Sequence, residues 1–143
     1  MKNSLIAEAS ISIDAPAAAV WKAITDPELI ARYLYGTKVK SDWKEGGEIT
    51  YEGEHNGTKY HDKGVIKKLE TNKVFASTYW SSMGGKEDKP ENYNLVTYTL
   101  TESDGKTEVM LTQDNVADEK EKEHAAANWS AVLTELKKIA ESL

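Results

Sequence analysis

The chain contains no cysteine, which excludes disulfides, thiolate metal sites and a cysteine nucleophile. Positive charge is not in surplus: 18 Lys and Arg stand against 24 Asp and Glu, a net charge of −6. Such a chain offers no general electrostatic grip on nucleic acid or an anionic membrane. No apolar run approaches the roughly 20 residues of a membrane-spanning helix, so no membrane span is expected. The opening MKNSLIAEAS lacks the apolar core of a signal peptide. These absences point to the cytoplasm. Phenylalanine is nearly missing too, one residue against seven Tyr and four Trp. Tyr and Trp join an apolar body to a polar tip and suit walls that are partly polar.

What is present reads as one domain, residues 1–143. Leu5–Ile13 alternates as a strand with Ala9, Ile11 and Ile13 on one face. Asp14 is placed to cap a short helix over Pro16–Thr25, and Asp26 to cap a second over Pro27–Leu34, which Gly36 ends. Strands follow near Thr37–Trp43 and Gly47–His55. The Asn56-Gly57 pair tolerates positive φ and predicts a two-residue type I′ turn. That turn sets Glu54 opposite Lys59, Glu52 opposite His61 and Tyr51 opposite Asp62. Ile49, Tyr51, Tyr60 and Ile66 then share the inner face. The phase is ambiguous beyond Gly64, where a bulge reconciles Val65 and Leu69 with Ile66. Further strands are predicted near Val74–Ser81, Tyr93–Glu102 and Lys106–Gln113, with a polar loop from Ser82 to Glu91.

From Asp118 to Leu143 there is no Gly or Pro. Ala125, Trp129, Val132, Leu133, Leu136, Ile139, Ala140 and Leu143 recur at steps of three and four, which predicts one long amphipathic helix. Antiparallel strands joined by hairpins, with helices at the two ends, make the class α+β. The long helix has to bury its stripe against the sheet, and a curved sheet around one helix encloses a space.

Several segments resemble the START-like (SRPBCC) superfamily. They are Ala19–Ile30 (AVWKAITDPELI), Gly46-Gly47, Gly64-Val65-Ile66, the strand ending at Trp80, and Ala127–Leu136 (ANWSAVLTEL). The nearest branch is the one named for similarity to the C-terminal domain of the activator of heat shock protein 90 ATPase. The resemblance implies a helix-grip fold: about seven antiparallel strands curved around the C-terminal helix, two short helices after the first strand, and a hydrophobic cavity. Members bind lipids, sterols, polyketides and hormones, and a few are cyclases or hydrolases. Chaperone-activating members carry an additional N-terminal domain, for which these 143 residues leave no room.

The residues expected to line a ligand cavity are Trp21, Tyr33, Leu34, Tyr51 and Tyr60 from the first half. From the second half they are Asp62, Trp80, Tyr98, Trp129 and Leu133. Asp62 shares a face with Tyr51 and Tyr60, so its carboxylate can orient the polar end of a ligand. His55, His61 and His124 do not form a zinc set: the turn register puts His55 and His61 on opposite faces, and zinc needs about three convergent ligands. Asp114, Asp118, Glu119, Glu121 and Glu123 make an acidic group of the kind that binds metals, but negative charge near a helix start meets the macrodipole, and the interspersed Lys120 and Lys122 read as a solvated face. No metal site, cofactor fingerprint or catalytic set stands out, and Gly84-Gly85 has no helix behind it to bind phosphate. The expected function is therefore non-catalytic binding of a hydrophobic small molecule, lipid-like or aromatic. The alternatives are a co-chaperone-like domain with a chaperone or other protein partner, and a cyclase or hydrolase.

Overall fold

The computed structural model describes residues 5–34, 36–55, 57–81 and 87–143, with the side chain of His55 excepted. The turn residue Asn56, the Gly84-Gly85 pair and the side chain of His55 thus lie outside the described residues. Strand β1 (Leu5–Ile13) is followed by helices α1 (Ala17–Thr25) and α2 (Pro27–Tyr33). The two helices start differently. The Asp26 carboxylate accepts from the Glu28 N–H at 3.0 Å and Pro27 takes the first helical position, so α2 is capped as expected. Asp14 does not cap α1. Pro16 holds the cap position with no capping side chain, and the Ala17 N–H donates instead to Glu102 Oε1 at 2.6 Å, a carboxylate brought from a distant strand. Asp14 donates its own N–H to Glu141 at 2.8 Å, tying the end of β1 to the end of the chain.

The remaining strands are β2 (Lys38–Ser41), β3 (Glu48–His55), β4 (Thr58–Glu70), β5 (Val74–Tyr79), β6 (Asn94–Ser103) and β7 (Lys106–Val116). They form one open antiparallel sheet in the order β1-β7-β6-β5-β4-β3-β2. The β3–β4 register is the one the turn dictates: Tyr51 faces Asp62, Glu52 faces His61, and Glu54 faces Lys59. The bulge falls later than expected, between Ile66 and Lys68 rather than at Gly64. Gly64 has another role. A Cβ there would lie 1.6 Å from the Thr78 carbonyl oxygen, so no other residue fits without moving backbone. At this point β4 changes partner: Thr58–Val65 pairs with β3, and Ile66–Glu70 pairs with β5. The ladder opens between, where the Val65 N–H donates to Thr78 Oγ1 at 2.8 Å, and an isolated bridge joins Lys63 to Trp80. Glycine permits this close approach of the two backbones.

Helix α3 (Glu119–Glu141) begins at Asp118, whose carboxylate accepts from the Glu121 N–H at 2.8 Å. Glu121 reaches back to the Ala117 N–H at 3.2 Å, a reciprocal cap that accounts for the acidic start. The hydrophobic stripe is not buried evenly. Leu133, Leu136 and Ala140 are sealed against the core, whereas Ala125, Trp129, Val132 and Ile139 are only half-buried. Leu143 is 52% exposed, because the helix ends before it, so it does not belong to the buried face. The C-terminal half of α3 therefore docks while the N-terminal half stands off the sheet. With two short helices and one long one beside the sheet, this is the α+β helix-grip arrangement.

Replacing Gly64 by Ala is expected to lower stability by about 1–3 kcal/mol, the range for forcing atoms into an occupied space. The denaturation midpoint reads this, and an unchanged midpoint would mean that β4 and β5 are not held this close.

Candidate functional site

The space under the N-terminal half of α3 is a cavity of about 790 Å³. Helix α2 contributes Tyr33, its C-cap contributes Leu34, and the β3–β4 hairpin contributes Tyr51, Tyr60 and Asp62. Tyr98 comes from the middle of β6, and Trp129 from α3. These seven are the expected lining residues that the fold brings together.

Trp21, Trp80 and Leu133 are not in the wall. Trp21 packs half-buried against the core beside α1's inner face, and Leu133 is sealed completely between helix and core. Val132, one position earlier, is the residue that looks into the space. Trp80 has the wrong parity. The inward residues of β5 are Phe75, Ser77 and Tyr79, opposite or alternating with Tyr98 and Val96, so residue 80 projects outward. There Trp80 donates its indole N–H to the Glu87 carbonyl at 3.1 Å, and the Lys63 ammonium sits 5.8 Å from its ring centre. Lys63 also pairs with Asp88 at 2.5 Å on that outer surface.

Asp62 is buried, and among the described residues it is the one charged side chain in that class. Its Oδ2 accepts a hydrogen bond from the Tyr79 hydroxyl. The Tyr79 ring meets Tyr51 edge-on, with centroids 5.7 Å apart. Burial raises the Tyr79 pKa far above its ordinary value, and the hydrogen bond to Asp62 adds to the effect. Burial also pushes Tyr51 up to about 12, with the nearby Asp62 charge adding and a hydrogen bond with Ser77 opposing. Tyr33 and Tyr98 are raised by burial first and by neighbouring tyrosines second. Tyr33, Tyr51, Tyr79 and Tyr98 therefore keep their protons at neutral pH. They act as hydrogen-bond donors on otherwise apolar walls.

Aromatic rings continue from this cluster across the sheet. Phe75 stacks on Tyr98 with centroids 6.0 Å apart, and Trp129 meets Tyr98 edge-on at 6.4 Å. The Trp129 indole N–H donates to Gln113 Oε1 at 2.7 Å, which holds the ring as a strut between α3 and β7. Trp43 faces Phe75 at 6.0 Å and has a φ of 56°, a left-handed conformation uncommon for so bulky a residue. Tyr60 lies across Gly53, where a Cβ would meet its hydroxyl at 2.3 Å, and it is hydrogen-bonded to Thr37.

Tyr79, Phe75 and Ser77 were legible from strict alternation along β5, once Phe75 is taken as inward. Trp43 carried no such signal, since its orientation depends on one left-handed residue. Glu121, His124 and Asn128 line the wall one helical face away from the sealed leucines. His61 is outward, 3.2 Å from Glu52. Among the described residues no group of three or more His, Asp or Glu side chains could hold a metal, and no helix is long and apolar enough to cross a membrane.

Residues 14–141 match the family model described as activator of Hsp90 ATPase homolog 1-like protein. The chain belongs to this family. The chain is similar to ChR145 of Cytophaga hutchinsonii, at 44% identity over 99% of this chain and 97% of that one, with a TM-score of 0.87. More remote likenesses show the fold alone. CalU16 of Micromonospora echinospora is 22% identical over 97% of this chain and 87% of that one (TM-score 0.71). The Aha1 dimer of Colwellia psychrerythraea is 18% identical over 96% of each chain (TM-score 0.75). Comparison with curated proteins gives no match.

The raised tyrosines give a stability signature. An acid whose pKa is higher in the folded state than in the unfolded one holds its proton longer when folded. The stabilisation is complete below the unfolded value of about 10 and declines as pH rises from there through the folded value. Stability is thus expected to fall as pH rises above about 10, and more steeply the more of these tyrosines ionise only on unfolding. Absorbance titration should show these phenols ionising only as the protein unfolds; normal titration near 10 in the folded protein would contradict their burial.

Proposed function

We propose that the protein binds a hydrophobic small molecule, lipid-like or aromatic, in the cavity between sheet and α3, and that it acts in the cytoplasm without turning that molecule over. One observation carries the reading. A space of about 790 Å³ is walled mainly by aromatic and aliphatic side chains and holds a buried polar cluster, Asp62 with Tyr79, Tyr51 and Ser77. Small-molecule sites combine apolar walls with a few convergent polar groups in this way, at volumes of roughly 300–1,000 Å³. The apolar walls supply affinity and the cluster supplies orientation. Binding without turnover is supported by the state of the cluster. The Tyr79 proton is engaged with Asp62 and held by a raised pKa, so the pair is set to donate and accept hydrogen bonds rather than to exchange a proton with a substrate.

A co-chaperone-like protein contact is the second reading, favoured by the family match. Titration of isotope-labelled protein with a panel of aromatic and aliphatic compounds separates the two. The first reading expects amide and ring resonances of Tyr51, Tyr98 and Trp129 to shift saturably, with β1 and the outward residues unmoved. If no compound moves those resonances, cavity binding is wrong and the protein-contact reading takes its place.

A further inference from the structure

The charge of the cavity wall is one-sided. Among the described residues it contains the carboxylates Glu54, Asp62 and Glu121 and the imidazole of His124, and neither lysine nor arginine; Glu54 is exposed and faces Lys59 across the hairpin, so Asp62 is the charge within. The basic neighbours of Asp62 along β4 do not compensate. Both His61 and Lys63 take the outward parity, and they lie against Glu52 and Asp88 respectively. A ligand carboxylate or phosphate would therefore lose its water beside a buried carboxylate, with no lysine or arginine of the described wall to receive it, an arrangement that disfavours binding.

The rings point the same way. Tyr51 and Tyr79 flank the buried carboxylate, and Trp43, Phe75, Tyr98 and Trp129 continue the wall with successive centroid spacings of 6.0, 6.0 and 6.4 Å. Aromatic faces carry the negative part of the ring quadrupole and attract organic cations, more so where water is excluded. The net charge of −6 also draws cations toward the protein. Resting on the cavity-binding reading above, we infer that the occupant is a hydrophobic amine bound in its protonated form, with its ammonium group at Asp62 and its apolar body along the Tyr98–Trp129 wall. The carboxylate can serve two donors at once, since it offers about four acceptor positions. Tyr79 and the ammonium group share it. The same wall rejects fatty acids and other anionic amphiphiles.

Three probes with one ring system and different charge test this at neutral pH: naphthylmethylamine, naphthylmethanol and naphthoate. The amine is expected to bind at least about ten-fold more tightly than naphthoate, by calorimetry or by the shift of cavity resonances. The carbon resonance of the Asp62 carboxyl should move with the amine and not with the alcohol. Asp62→Asn should reduce the amine's affinity to that of the alcohol, and the wild-type ranking decides the matter even if that variant does not fold. Naphthoate binding as well as the amine, with the alcohol still inside the cavity, would overturn the charge preference and leave cavity binding intact. If none of the three reaches the cavity, both fail.

Discussion

Leu133, Leu136 and Ala140 seal the C-terminal half of α3 against the core, and the other features of the molecule depend on how far that seal extends. The two leucines are fully buried, each contributing roughly 1.5–3 kcal/mol. Lys137 adds a polar clamp at the same end, donating to the Ser12 carbonyl at 3.0 Å and pairing with Glu141. Towards its N-terminus the helix exchanges sealed leucines for Val132, Trp129, Asn128 and Ala125, which contact the sheet in part or not at all. The strut from Trp129 to Gln113 maintains the separation. A helix packed along its whole length would leave no cavity; one packed over half its length leaves a large one.

The sheet supplies the opposite wall. Gly64 lets β4 lie close against the β5 backbone at the point where its pairing passes from β3 to β5. β4 carries Asp62 just before that point, and strand parity sets its carboxylate on the inner face opposite Tyr51. There it is held by Tyr79, and burial keeps the proton on the phenol. The site's chemistry thus follows from a backbone constraint. Membership in the activator family fixes the fold and leaves the occupant open, since function is carried by the side chains lining the site and not by the architecture.

Much of this was legible in the sequence where the signal was local. Asn56-Gly57 was sufficient to set the β3–β4 register, and with it Asp62 on the same face as Tyr51 and Tyr60. Helical periodicity located α3, and Asp26-Pro27 separated the two short helices. One failure arises because the deciding contact is distant in sequence. Asp14 looked like a cap because it precedes a helix, yet the donor at Ala17 is met by Glu102 from β6. Along β5 the signal is local: strand parity turns Trp80 outward despite its large ring and turns Phe75 in. Leu133 and Val132 differ by a single step on one helix. Which of them sees the cavity depends on the tilt of α3 relative to the sheet, and periodicity does not encode that tilt.

The central claim is that the space beneath the first half of α3 is open in the folded protein. Val96 lies in its wall at the centre of the sheet and points into it, so Val96→Phe tests the claim most directly by placing a ring where the cavity should be. The expected result is a stability within about 1 kcal/mol of wild type, together with loss of binding by hydrophobic probes. A loss of roughly 1–3 kcal/mol, the range for an overpacked interior, would show that side chains already fill the space.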